Sequence, residues 1–188
     1  MQEYARVVDG VVQELTYSPT LYDVSNPELL GEEFLASRGW LKVIREPLSQ
    51  GKMLVGTVID GNTITYTTDW LPINQLKSDK VDRINALRTS QLKQLTVEYN
   101  AFVFDSDPTS ISNVTAVVTS FSAGILPEQA TISWRDANNI DHALGKQDFY
   151  SLAGAMLAAV SATYSVSWVK KVEVEALLTP EEVVNYIV

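Results

Sequence analysis

Between Thr63 and Thr67, apolar and polar positions alternate with a period of two, which is typical of a half-buried β-strand. Two β-rich runs flank Asp9-Gly10, a dipeptide that favours a tight hairpin because both positions tolerate positive φ. A strand is predicted at Trp40–Ile44, and a second hairpin is predicted from the runs 53–59 and 63–67. Residues 1–72 are therefore expected to form a small β-rich unit.

Beyond Pro72 the apolar residues recur with the spacing of an α-helix. Residues 75–95 have one apolar and one charged face, as an amphipathic helix does. A long helix is predicted from Lys146 to about Ala176, where β-branched residues near Val166 permit a kink. A capping box that begins at Thr179 predicts a short final helix.

Three further elements are predicted between the two longer helices. A strand pair surrounds Asn100, and a helix follows that is capped by Asp107 and ended by Gly124. The runs 131–135 and 140–144 predict a third hairpin. The whole pattern indicates an α+β fold with a β-rich unit at 1–72 and a helix-rich α+β unit at 73–188.

Composition narrows the possible functions. The chain has 188 residues, a formal charge of −9, no cysteine and one histidine. The absence of cysteine excludes disulfides and thiolate metal sites. A charge of −9 repels phosphate backbones and anionic lipid, so we expect neither nucleic acid nor membrane as a partner. No cofactor-binding motif is found, and no cofactor is expected.

The chain start has no basic leader followed by an apolar core, so no secretory signal is expected. The most apolar stretch, Leu152–Val160, has about half of the ~20 residues that cross a bilayer, and a buried helix is expected there. We therefore expect the protein to be made in a cytoplasm.

Two groups of residues suggest catalytic or metal chemistry. His142 lies beside Asp141, but neighbours on a strand point to opposite faces, so a structural role for the histidine is favoured over that of a general base. Asp105 and Asp107 resemble the first ligands of a calcium loop, but its sixth and twelfth positions here are Ser110 and Ala116. Helix capping explains Asp107 better, and no metal site or catalytic residue is predicted.

The four tryptophans divide into two pairs. Trp134 and Trp168 are expected to anchor local cores. Trp40 and Trp70 border loops of the β-rich unit, where core packing and contact with a partner protein are equally consistent with the sequence. They are the candidate partner-binding residues.

Several motifs of the second unit follow one another in a recognisable order. Phe104 with Asp107 closes a short hairpin, Trp134 with Asp136 opens another, and Asp148 lies near the start of the long helix. This order, over roughly residues 76–176, resembles a domain of unknown function that recurs in tail proteins of tailed bacteriophages. The N-terminal sequence is also similar to that of tail-fibre assembly and accessory proteins, at Tyr4–Val12 and Trp40–Val43.

The resemblance implies a non-enzymatic structural component of the phage tail, located in the virion and made in the host cytoplasm. Its partners would be tail-fibre or baseplate proteins, and a homo-oligomer of the chain is compatible with the resemblance. The alternative is a tail-fibre assembly chaperone that is absent from the mature particle. A third hypothesis is a glycan hydrolase that uses a pair of carboxylates. Glu98 and Asp105 are one such pair, but no sequence feature distinguishes them from other acidic pairs.

Overall fold

The computed structural model describes residues 2–21, 24–45 and 47–188. The fold is α+β, as the sequence predicts. Contacts between residues divide the chain into two compact units, Met1–Leu76 and Lys77–Val188. This division falls within the first helix that follows Pro72, four residues beyond the boundary predicted at Pro72.

The first unit is built on a five-stranded sheet with the strand order β2-β1-β3-β5-β4. Neighbouring strands are antiparallel except β3 and β5, which are parallel. A 3₁₀ turn at Pro27–Leu29 and the helix α1 (Glu32–Ser37) lie between β2 and β3. The strands are β1 (Tyr4–Val8), β2 (Val11–Thr16), β3 (Trp40–Ile44), β4 (Lys52–Asp60) and β5 (Thr63–Trp70).

The core of this unit is small and lies around β1, β3 and β5. Successive strand residues point to opposite faces, and Tyr4 and Ala5 accordingly belong to different apolar clusters. Ala5 packs with residues of β3 and β5, whereas Tyr4 packs with Leu35 of α1 and with Trp40. The two outer strands, β2 and β4, contribute no fully buried side chain.

The second unit combines helices with two separate β-hairpins. The first hairpin pairs β6 with β7, and the second pairs β8 with β9. Its elements are α2 (Ile73–Lys93), β6 (Thr96–Tyr99), β7 (Phe102–Asp105), α3 (Pro108–Ser122), β8 (Thr131–Arg135), β9 (Asp141–Gly145), α4 (Lys146–Ala176) and α5 (Pro180–Asn185).

The main apolar core of the second unit surrounds Phe149, which is fully buried near the start of α4. The indole of Trp134 meets the Phe149 ring edge-on, with 5.2 Å between the ring centroids. The prediction that Trp134 packs in a core is therefore confirmed. The other buried members are Val97, Phe104, Val114, Phe121, Leu144, Leu152 and Met156.

Local signals in the sequence place several turns and caps where they are observed. Asp9 and Gly10 both have positive φ in the first hairpin turn, at 52° and 76°. A carboxylate oxygen of Asp107 accepts a hydrogen bond from the amide of Thr109 at 2.8 Å, which caps α3. Thr179 and Glu182 form the predicted capping box of α5. These predictions are confirmed. They could be made from the sequence because each turn or cap depends only on neighbouring residues.

The burial predicted for Leu152–Val160 is confirmed on one face of α4 only, because Leu152 and Met156 are buried whereas Leu157 is 71% exposed. Only 17% of the most apolar part of this helix is buried. By length and composition the helix could cross a membrane, a test that core helices of other proteins also pass. The uncharged run extends from Phe149 to Val169, well beyond the Leu152–Val160 segment for which burial is predicted.

Candidate docking surface

The most exposed apolar element of the first unit is β4, the strand at one edge of the sheet. One side of β4 pairs with β5, and its outer side pairs with no strand in the described part of the chain. Such an edge presents a row of backbone N–H and C=O groups that another strand can pair with. The edge of β4 is therefore available for strand addition.

The side chains of β4 make this edge uncharged and apolar. Its interior, residues 53–59, contains no charged residue and no proline. Apolar side chains are exposed at consecutive positions, so neither face of the strand is covered. The exposed members are Met53, Leu54, Val55, Val58 and Ile59. Natural edge strands usually carry charge or proline against unwanted pairing, so an exposed edge of this composition fits a partner that covers it.

A β-bulge lies within β4, between Leu54 and Gly56. The extra residue, Val55, interrupts the ladder with β5, and bulges bend a strand and increase its twist. The segment from Gly56 to Asp60 pairs regularly with Thr63–Thr67. This regular segment is the part of the edge best suited to an added strand.

The opposite edge of the sheet provides a contrast. The outer strand β2 is also exposed, but it carries Gln13 and Glu14 in its interior. A buried carboxylate without a partner is costly, so Glu14 disfavours an apolar interface at this edge. The two edges therefore differ in charge, and only β4 has the composition of a docking edge.

The candidate partner-binding tryptophans occupy different environments. Trp40 is 2% exposed and packs with Tyr4 and Leu35. Its burial leaves no indole surface for a partner, so the partner-contact hypothesis for Trp40 is corrected and the residue is assigned to the core. Trp70 lies half-buried at the end of β5, opposite Lys52 of β4. The Lys52 ammonium lies 5.1 Å from the Trp70 ring centroid, which places Trp70 beside the docking edge.

The tryptophan of α4 is also placed differently from expectation. Trp168 is 57% exposed, so the prediction that it anchors a core is wrong. Its ring contacts Tyr164, one helical turn earlier, at 6.0 Å between centroids. Sequence periodicity could not separate the two faces of α4, because both are apolar.

His142 is paired, but with a different carboxylate from the neighbouring one. The imidazole Nε2 lies 3.0 Å from a carboxylate oxygen of Asp136, which is buried. Asp141 lies on the other side of the strand and accepts two hydrogen bonds from Arg135, at 2.8 and 3.0 Å. The ring of His142 also stacks on Phe102, with 3.9 Å between centroids. The histidine thus belongs to the packing of the two hairpins.

Asp136 organises the turn between β8 and β9. One of its carboxylate oxygens accepts hydrogen bonds from the amides of Asn138 and Ile140, at 2.8 and 2.9 Å. The Ile140 amide, together with His142, holds the pKa of Asp136 below its usual value despite the opposing effect of burial. In the sequence Asp136 is identified only through the family resemblance, although an aspartate at the start of a hairpin turn is a recognised turn signal.

Asp107, Glu98 and Asp105 are the other acidic residues that were considered for metal or catalytic chemistry. Asp107 accepts a hydrogen bond from the Ser110 hydroxyl, which lowers the pKa of its carboxyl most strongly, and from two backbone amides. Glu98 and Asp105 are both exposed on the β6–β7 hairpin. Among the described residues, no group of three His, Asp or Glu side chains is arranged to hold a metal ion.

The comparisons with known proteins define a family. The chain belongs to the family described as Domain of unknown function (DUF4376), whose model matches residues 75–188, more than half of the chain. No curated protein and no solved structure matches the chain. The matched region contains the motifs at 76–176, whereas the candidate docking edge lies in the N-terminal unit that precedes it.

Proposed function

We propose that this protein is a non-enzymatic structural component of a bacteriophage tail, associated with the baseplate or the tail fibres. The tail assignment is supported by the order of motifs that resembles phage tail proteins. The docking role is supported by one structural observation: β4 is a nine-residue edge strand with an uncharged, exposed interior. In this proposal the N-terminal unit attaches the chain to its partner through that edge.

Attachment proceeds by strand addition. An extended segment of the partner pairs its backbone with the outer side of β4, extending the sheet by one strand. Val58 and its exposed apolar neighbours then lose part of their contact with water, because side chains of the added strand pack beside them on each face of the sheet. Backbone pairing supplies affinity, while pockets around alternate side chains supply selectivity. Trp70 and Lys52 border the added strand at one end.

The edge can be tested with a pair of matched substitutions. Val58→Lys introduces a charge on β4, and Val11→Lys introduces the same charge on β2, at residues that are 53% and 57% exposed. Binding of each variant to candidate fibre and baseplate subunits is measured by biolayer interferometry. We expect Val58→Lys to weaken binding by about tenfold or more, equivalent to about 1.4 kcal/mol, and Val11→Lys to leave it nearly unchanged.

Circular dichroism of both variants controls for folding. Equal losses in the two variants, or an unchanged affinity for Val58→Lys with a bound partner, would show that β4 is not the docking edge.

A tail-fibre assembly chaperone would use the same edge only transiently. It would cover an apolar fibre strand until the fibre trimer forms, and would then leave. Mass spectrometry of purified particles separates the two roles, because a structural component remains in the mature virion and a chaperone does not.

A further inference from the structure

We propose that the second unit forms a homodimer through the exposed face of α4, with the two α4 helices antiparallel and centred on Ser161. This inference rests on residues of α4 alone and is independent of the tail assignment and of the β4 edge.

The exposed face of α4 is a continuous seam. Tyr150, Gly154, Leu157, Ser161 and Trp168 follow one another at spacings of three, four or seven residues. This repeat keeps side chains on one line along a helix that packs against another helix. Leu157 is 71% exposed, and Trp168 is also largely exposed. The seam, which continues to Val172, spans about 33 Å of helix at 1.5 Å per residue.

The opposite face of α4 is already occupied. Phe149, Leu152 and Met156 enter the main core, and Ser167 and Val174 are buried further along the helix. A helix with one buried face ordinarily presents polar residues on its other face. In α4 no charged residue occurs between Phe149 and Val169, so this part of the seam resembles a second packing face.

Residue sizes along the seam are complementary about Ser161. In an antiparallel two-fold pair, residues at equal distances on either side of the axis meet. Gly154 and Trp168 both lie seven residues from Ser161, so each indole would cover a glycine of the other copy. A side-chain carbon built at Gly154 would meet nothing within 4 Å, so the space beside this glycine is open to that indole.

The next exposed positions repeat this pattern of a large residue opposite a small one. Leu157 and Ser165 both lie four residues from Ser161 and are both exposed. A parallel pair would instead place Trp168 against Trp168 and Gly154 against Gly154. The order of sizes therefore favours an antiparallel second copy over a parallel one.

Charges at the two ends of α4 favour the same arrangement. Lys146 and Glu175 lie fifteen and fourteen residues from Ser161, on opposite sides. An antiparallel pair brings Lys146 of one copy near Glu175 of the other, and the helix dipoles oppose each other favourably. Both side chains are partly exposed, even though Lys146 contacts Glu128 and Glu175 lies near Lys77.

A lipid surface accounts for the seam less well. Gly154, Ser161 and Ser165 would lie among hydrocarbon chains, where small side chains leave gaps and hydroxyls gain nothing. Against a second helix, small residues permit a close approach of the two backbones. The observations therefore favour a second copy of this chain.

Sedimentation velocity of the full chain over a range of concentrations tests association. We expect the wild type to reach twice the 20.8 kDa of one chain. Leu157→Glu should weaken association by about a hundredfold, because it places an unpaired carboxylate in the seam. Leu178→Glu is the control, since this exposed leucine lies outside α4. A wild type that stays monomeric at all concentrations would overturn the proposal.

Single cysteines test the orientation, because the chain contains none of its own. When Leu157→Cys and Ser165→Cys copies are mixed and oxidised, we expect disulfides mainly between the two different variants. Disulfides of Leu157→Cys with itself would indicate a parallel pair and contradict the proposal. Binding of a monomeric chain to phosphatidylcholine vesicles, abolished by Leu157→Glu, would assign the seam to lipid and also contradict it.

Discussion

At the scale of single residues, the buried Asp136 carboxylate joins a turn to a neighbouring aromatic ring. It accepts hydrogen bonds from two backbone amides of its own turn and contacts His142. The ring of His142 packs on Phe102 of the β6–β7 hairpin. Removal of a buried acceptor leaves its donors without partners, and each such donor costs free energy. Asp136 therefore supports the relative placement of the two hairpins of the second unit.

We expect Asp136→Ala to lower the urea midpoint of unfolding clearly more than Asp141→Ala does. Asp141 is the matched control because it lies in the same hairpin, and its contact with Arg135 is exposed. Chemical denaturation followed by tryptophan fluorescence measures both variants. Equal destabilisation by the two substitutions would contradict the role assigned to Asp136.

The same carboxylate predicts a dependence of stability on pH. Because the folded-state pKa of Asp136 is lowered, its contribution is complete above the usual value of 3.8 and is lost as the pH falls through the folded-state pKa. Asp136→Asn should therefore lose less stability than the wild type between pH 4 and pH 2. Parallel pH profiles of the two proteins would show that Asp136 does not contribute in this way.

At the scale of secondary-structure elements, most boundaries follow from local chemistry that the sequence displays. Turn residues with positive φ, prolines in first helical turns and capping side chains act over four residues or fewer, so they could be predicted. The position of β4 at a sheet edge could not, because it depends on the parallel pairing of β5 with β3. The exposure of Trp168 was missed for a related reason: packing partners, not periodicity, decide which apolar face of α4 is covered.

Substitution of Asp107, the N-cap residue of α3, distinguishes a capping role from a role as a calcium ligand. We expect Asp107→Ala to destabilise the protein by about 1 kcal/mol, whereas Asp107→Asn should be nearly neutral because asparagine caps helices equally well. Thermal denaturation with and without added Ca²⁺ checks both interpretations. A rise in the melting temperature of the wild type with Ca²⁺ would contradict the assignment of Asp107 as a cap.

At the scale of the whole molecule, the family match and the candidate docking edge lie in different units. The family model covers the helix-rich unit, and the exposed β4 edge lies in the β-rich unit that precedes it. We propose one task for each unit: attachment through the N-terminal sheet, and self-association through α4 of the second unit. Of the two predicted partner-binding residues, Trp70 lies beside the docking edge, and Trp40 lies in the core of the first unit.

Cross-linking mass spectrometry of purified phage particles tests the central claim most directly, because it reports both presence in the virion and the surface used. Lys52 begins β4 and provides an amine beside the docking edge. We expect the chain to be present in mature particles and Lys52 to be cross-linked to a fibre or baseplate subunit. Absence of the chain from particles, or cross-links to tail subunits that avoid the β4 edge, would contradict it.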